Sequence, residues 1–192
     1  MTSDGYVPIL EILQHKHARL KGLDLEGIRA MVESNEKRRF SIKEDEYGVT
    51  YIRANQGHSI SGIDPEALLT RIKPEELATL TIVHGTYQEP WEKHIFSQGL
   101  SRMKRNHIHF ASGLPKYDNS VISGMRKTCT IYIYLDGEKC SKDRIAFFRS
   151  DNGVILTAGV NDEGILPIKY FSHVISSTGE ILFEKQVAPK KA

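Results

Sequence analysis

Residues 129–135 read Cys-Thr-Ile-Tyr-Ile-Tyr-Leu. Isoleucine, tyrosine and threonine are β-branched or aromatic, which is the composition of a strand. Asp136-Gly137 follows as a turn signal. Ser123-Gly124-Met125-Arg126 precedes it, a small flexible turn ending in a guanidinium whose planar fork matches phosphate or pyrophosphate oxygens. The same letters also suit a plain surface loop. Working outward, Leu80–His84, His107–Phe110, Ile145–Arg149, Val154–Thr157 and Phe171–Ile175 are further short strand-like runs. Ser112-Gly113, Asn152-Gly153 and Glu163-Gly164 mark turns between them. Glu89–Gln98 fits a helix closed by Gly99. Many strands and few helices predict an α+β region from about residue 73 to 185, with a loose tail over 186–192.

The first third reads differently. Val7, Leu10 and Leu13 recur at helical spacing, with Pro8 in the first turn. Leu25, Ile28, Met31 and Val32 form a second stripe. Arg39–Ile42 and Val49–Ala54 read as strands around a turn at 44–48. Two helices and a small hairpin predict a winged-helix-like lobe over residues 1–72. Within it, Asp64–Arg71 suits a helical turn opened by Pro65, and Lys73–Thr79 reads as the linker to the second lobe.

The chain has 192 residues, 40% hydrophobic and 26% charged, a balance that excludes a mostly disordered polypeptide. No apolar run approaches the roughly 20 residues that span a bilayer. The opening MTSDGYVPILEIL lacks the basic-then-apolar pattern of a secretory signal. Cys129 and Cys140 are spaced neither as a disulfide framework nor as a metal-binding pair, so a reducing, intracellular setting is expected. Net charge is only +2, near −1 over residues 1–75 and near +3 beyond. Any anion site must therefore be local. Lys37-Arg38-Arg39 and Arg102, Lys104 and Arg105 are the two clusters, each readable as a solvated face. GxGxxG, Walker A and HExxH motifs are absent from the sequence.

Four segments carry polar chemistry. Arg53-Ala54-Asn55-Gln56-Gly57-His58-Ser59 leaves a strand with an arginine suited either to a phosphate or to a carboxylate partner. His84-Gly85-Thr86 ends a strand, where glycine admits a ligand close to the backbone. His107 and His109 alternate along a strand and share a face, and zinc would need further ligands that the cysteines do not supply. Phe147–Gly153 reads first as a hairpin turning at Asn152-Gly153.

Taken in order, RANQGHS (53–59), HGT (84–86), HIHFA (107–111), SGMR (123–126) and RSDNGVILT (149–157) resemble the RNA 2′-phosphotransferase family over about residues 5–175. The resemblance implies a winged-helix-like RNA lobe joined to a lobe of ADP-ribosyltransferase fold. It implies the last step of tRNA splicing: removal of an internal 2′-phosphate with NAD consumed as co-substrate and no metal. In that chemistry the RNA 2′-phosphate attacks C1″ of the NAD ribose and expels nicotinamide. The ribose 2″-hydroxyl then attacks phosphorus, giving 2′-OH RNA and ADP-ribose 1″,2″-cyclic phosphate. The partners implied are tRNA, or another RNA with an internal 2′-phosphate, and NAD, with the protein a monomer in the cytoplasm or nucleus.

The family's essential group is an Arg-His-Arg-Arg tetrad. Arg53 matches its third member and Arg126 its fourth, as catalytic, phosphate-facing groups. The first two belong to a Leu-Arg-His-x-Ala motif upstream of the segment matching Asp4–Pro8, and residues 1–192 do not contain it; His15–Arg19 is out of register. Full activity is therefore an open expectation here, beside two alternatives: an impaired NAD- and RNA-binding module, or an ADP-ribosyltransferase that caps a terminal RNA phosphate. The resemblance places His84, Gly85, Thr86, His107, His109, Ser123 and Gly124 along NAD, and His58, Ser59 and Ser123 with the two arginines near the substrate phosphate. It also lets the Arg102–Arg105 cluster touch RNA backbone.

Overall fold

The computed structural model describes residues 1–2, 4–15, 21–55, 69–118, 121, 124–160 and 162–185. The N-terminal part runs β1 (Val7–Pro8), α1 (Ile9–Leu13), α2 (Leu25–Glu33), β2 (Phe40–Glu44) and β3 (Thr50–Ala54). Its three strands form an antiparallel sheet in the order β1-β3-β2. Val7 and Pro8 are spent on that sheet rather than on the first helical turn. The helix consequently starts at Ile9, which is fully buried, while Leu10 of the expected stripe is 62% exposed. Helix α2 matches its stripe better. Asp24 caps it by accepting from the Gly27 amide at 2.8 Å, and Ile28 is buried.

The rest comprises β4 (Thr70–Arg71), α3 (Pro74–Leu77), β5 (Val83–Thr86), α4 (Gln88–Pro90), a π turn (Trp91–Ile95), α5 (Phe96–Gln98), β6 (Leu100–Ser101) and β7 (Ile108–Phe110). Then follow β8 (Ile131–Leu135), α6 (Gly137–Lys142), β9 (Phe148–Arg149), β10 (Ile155–Thr157), β11 (Ile165–Leu166), a 3-10 turn (Ile168–Tyr170), β12 (Phe171–Ser176) and β13 (Ile181–Glu184). Two four-stranded sheets have the orders β4-β9-β10-β7 and β13-β12-β8-β5, and β6 pairs with β11. The molecule is thus a mixed α+β structure. None of its described helices is long and apolar enough to cross a membrane.

Strand β8 carries the expected alternation: Ile131, Ile133 and Leu135 are buried and the two tyrosines half-buried. Its inward face joins Phe110, Phe147, Ile155 and Phe171 in one core. Burying such a side chain contributes roughly 1.5–3 kcal/mol. Three further sequence expectations need correction. Lys73–Thr79 holds α3, whose Leu77 enters the core. Asp136-Gly137 starts α6, because Asp136 accepts from the Lys139 amide at 2.8 Å as an N-cap. Thr70–Arg71, expected in a helical turn before the lobe boundary, is a strand paired with Phe148–Arg149; residues 64–68 lie outside the described residues.

Edge strands β5 and β7 bring the two four-stranded sheets together. Val83 and Ala111 exchange both backbone bonds, at 3.0 and 2.9 Å. This seam places the residue after Val83 beside the strand that carries His109.

Candidate active site

Two cavities open at that seam. The larger, about 620 Å³, is lined by His84, His94, His107 and His109 together with apolar Pro90, Ile95, Leu100 and Ile165. The smaller, about 340 Å³, is lined by Lys37, Arg39, Arg105 and Arg126 with Gly85, Thr86, Tyr87, Gly124, Met125 and Cys129. His84, Arg105 and His109 line both, so the two are compartments of one groove.

The imidazoles are fixed by backbone carbonyls. His84 Nδ1 lies 2.9 Å from the His109 carbonyl, and His109 Nδ1 lies 3.0 Å from the His107 carbonyl. A carbonyl only accepts, so each Nδ1 carries the proton and each Nε2, in the neutral ring, is left as an acceptor. Burial pushes all three of these histidines below their ordinary range. His109 falls to about 4, with the Arg105 charge adding to the effect of burial. At neutral pH this wall of the groove is uncharged.

The opposite end is cationic, and its floor is backbone. Gly124 has φ +107°, and a Cβ there would lie 2.6 Å from the Phe110 carbonyl and 2.7 Å from Ala111 Cα. At Gly85 a Cβ would lie 2.8 Å from Cys129 Sγ. Both glycines let neighbouring chain close behind the cavity.

The Arg102–Arg105 cluster divides its labour. Arg102 donates to the Asp162 and Arg105 carbonyls at 3.1 and 3.2 Å, and its side chain occupies the space a Cβ on Gly164 would need. It thereby ties down the loop that presents Arg105 to both compartments. Arg53 is placed differently from Arg126. Its guanidinium pairs with Asp151 and lies 4.9 Å from the centre of the Tyr6 ring. Arg53 is not among the lining residues of either cavity, whereas Arg126 is.

Of the expected site residues, the structure therefore brings together His84, Gly85, Thr86, His107, His109, Gly124 and Arg126. His58, Ser59 and Ser123 lie outside the described residues. Lys37 and Arg39 were visible in sequence only as a charged cluster. Tyr87, His94 and Cys129 carried no signal. Among the described residues no group of three or more His, Cys, Asp or Glu is arranged to hold a metal.

A histidine-lined, partly apolar compartment edged by Arg102 and Arg105 opens into a compartment with four cations, a shape and charge suited to an elongated anionic ligand. Residues 1–159 match the RNA 2′-phosphotransferase, Tpt1 / KptA family. The chain is 49% identical over 187 residues to a putative tRNA 2′-phosphotransferase of Schizosaccharomyces pombe, covering 97% of this chain and 48% of that protein. It is 41% identical over 200 residues to tRNA 2′-phosphotransferase 1 of Mus musculus, covering 99% and 78%, and 41% identical over 176 residues to its Homo sapiens counterpart, covering 91% and 67%. The chain belongs to the RNA 2′-phosphotransferase family. It spans about half the length of the S. pombe relative.

Proposed function

We propose that this chain is an NAD-dependent tRNA 2′-phosphotransferase acting inside the cell, in cytoplasm or nucleus, as a monomer. In this reading residues 1–72 form a winged-helix-like RNA lobe and residues 73–185 an ADP-ribosyltransferase-like lobe. The observation that carries it is the shared groove: an imidazole-lined compartment continuous with a tetracationic one through His84, Arg105 and His109.

The residues present fit NAD. The larger compartment falls in the ordinary range for small-molecule sites, about 300–1,000 Å³, and Gly85 and Gly124 let the chain close tightly behind the cationic end. His84, His107 and His109 would hold the dinucleotide through neutral ring nitrogens, with Gly85 and Thr86 near its adenosine and ribose and Gly124 near the pyrophosphate or the migrating phosphate. When bound, NAD supplies the ribose carbon that loses nicotinamide and the 2″-hydroxyl that accepts the phosphate. The protein's own contribution is electrostatic. Arg105 and Arg126 offset the repulsion between an RNA 2′-phosphate and a second anion in the same groove, and they stand ready for charge that builds on phosphate oxygens. Neutral histidines avoid trapping either anion too tightly. Arg53 would join them on exchanging Asp151 for a phosphate.

The test uses an oligonucleotide with one internal 2′-phosphate and excess NAD, following phosphate loss and nicotinamide release together. Equal molar release of the two is expected. Arg126→Ala should lower turnover by about 10²-fold or more, as for loss of a preorganised donor. Arg126→Lys should rescue it poorly, lacking the bidentate fork. Nicotinamide release without phosphate loss would instead indicate a capping ADP-ribosyltransferase. NAD binding without either product would indicate a binding module.

A further inference from the structure

The turn at residues 35–39 is more heavily braced than an exposed charged loop requires. Arg38 sits at φ +44°, a left-handed conformation uncommon for a residue with a side chain. The three successive carbonyls of residues 37–39 each have their own donor. Asn152 Nδ2 donates to the Lys37 carbonyl at 2.9 Å, Asn55 Nδ2 to the Arg38 carbonyl at 2.8 Å, and the Asn55 amide to the Arg39 carbonyl at 2.9 Å. Asn35 Oδ1 accepts from the Arg39 amide at 3.2 Å. Asn55 and Asn152 are about 95% buried, and they come from strand β3's end and from the β9–β10 turn respectively. The strained Arg38 makes Lys37 and Arg39 share the smaller cavity while Arg38 is absent from its lining.

Charge counting gives this arrangement a purpose. The smaller cavity holds four cations on three segments: Lys37 with Arg39, then Arg105, then Arg126. A 2′-phosphate monoester carries at most two charges. Arg105 and Arg126 match it, and Arg105 also borders the histidine compartment. Arg102 and Arg105 line the histidine compartment proposed for the dinucleotide, whereas Lys37 and Arg39 border only the smaller cavity and remain for another anion. A 2′-phosphorylated nucleotide within an RNA chain has one a few bonds away: its own 3′-phosphodiester.

We propose that Lys37 and Arg39 bind the RNA phosphodiester adjoining the 2′-phosphate, so that the cavity selects an internal 2′-phosphate over a free phosphate monoester, and that Asn55 and Asn152 are positioning residues for this pair. The inference rests on reading the smaller cavity as the seat of the 2′-phosphate. The experiment is equilibrium binding, not turnover, so the two readings fail separately. Affinity of the full chain is measured by fluorescence anisotropy against salt, for a labelled single-stranded oligonucleotide with one internal 2′-phosphate. Adenosine 2′-monophosphate and NAD are titrated in parallel. Removing the contacts to one phosphate of a single strand should flatten the slope of log affinity against log salt by about 0.7. Lys37→Ala/Arg39→Ala should show that flattening and leave affinity for the mononucleotide and for NAD within about twofold. Lys37→Arg/Arg39→Lys should keep the wild-type slope. Arg39 is exposed, so Arg39→Ala alone, with about half the slope change, decides the matter should the double variant unfold. An unchanged slope overturns the proposal, and so does an equal loss for adenosine 2′-monophosphate. A loss confined to NAD would assign the pair to the dinucleotide's pyrophosphate and equally overturn it. Wild-type binding with the expected slope but no phosphate transfer would refute the proposed enzyme and leave this assignment standing.

Discussion

Replacing Gly124 with alanine should damage the fold and the groove together. Two effects act at this position. The backbone is at φ +107°, outside the conformations a side chain tolerates, which costs about 1–3 kcal/mol. The added Cβ would also sit 2.6, 2.7 and 2.8 Å from the Phe110 carbonyl, Ala111 Cα and Ala111 N. Those atoms belong to the backbone at the end of β7, and Ala111 is locked to Val83 by two hydrogen bonds across the seam. They cannot retreat without opening the junction between the sheets, so the overpacking penalty of about 1–3 kcal/mol applies as well. Gly153 provides the comparison. It has φ +79° with nothing within 4 Å of its virtual Cβ, so Gly153→Ala meets backbone strain alone, about 1–2 kcal/mol. For a chain of this length each kcal/mol shifts the melting temperature by about 2–4 °C. Thermal unfolding by circular dichroism should place Gly124→Ala about 10 °C below wild type, and Gly153→Ala about half that or less by the same conversion. Equal shifts in the two variants would show that contact with the seam is not what demands glycine at 124.

Stability should fall as pH is lowered from about 6.5 toward 4. Below the ordinary histidine range the unfolded chain takes up a proton on His109 that the folded chain, held at about 4, refuses, so the unfolded state binds more protons and is favoured. The loss is at most about 3 kcal/mol, and His109→Gln should flatten the dependence in urea titrations across that window; an unaltered pH profile in that variant would refute the assignment. Asp151→Asn should destabilise the chain by about 1–2 kcal/mol, because it strands the largely buried Arg53 guanidinium beside a neutral partner. Glu89→Gln, which breaks the exposed Lys93–Glu89 pair, should leave the melting temperature unmoved. Equal effects from those two would show that Asp151 holds nothing in place.

Elements long enough to show a period were legible in the sequence. Helix α2 and strands β3, β8 and β12 fall within a residue or two of their expected positions, because each buries one face over several residues. Strands β4, β6 and β11 have two residues apiece. Two residues carry no period, and such strands exist only through the partner that supplies their hydrogen bonds. Thr70–Arg71 could not be placed before Phe148–Arg149 was known to lie beside it. Helix α3 was concealed by its polar surface: only Leu77 faces inward, and one leucine in a charged stretch reads as a linker.

The site was legible in fragments and not as a whole, and the reason is where its joints lie. His84, His107 and His109 announce themselves because glycine and strand alternation accompany them. Lys37 and Arg39 do not, since nothing in Lys-Arg-Arg distinguishes a solvated cluster from a cavity wall. What distinguishes them is supplied from afar, by Asn55 and by Asn152, the latter 115 residues downstream of the carbonyl it binds. Asparagine is a good agent for such a joint. Its amide donates to a carbonyl without bringing a charge that would compete with the cations for an anion. The carboxylate of Asp151, one residue before Asn152, shows the contrast: it engages Arg53 directly and must be displaced before that arginine can meet a phosphate. A single turn thus carries one residue that braces the Lys37–Arg39 turn and another that pairs with Arg53. On this reasoning Asn152→Asp should do more harm to oligonucleotide binding than Asn152→Ala. It would lose the bond to the Lys37 carbonyl, as alanine does, and would add a negative charge beside Lys37. Anisotropy titrations that rank the two variants the other way would show that Asn152 acts on the turn by packing alone.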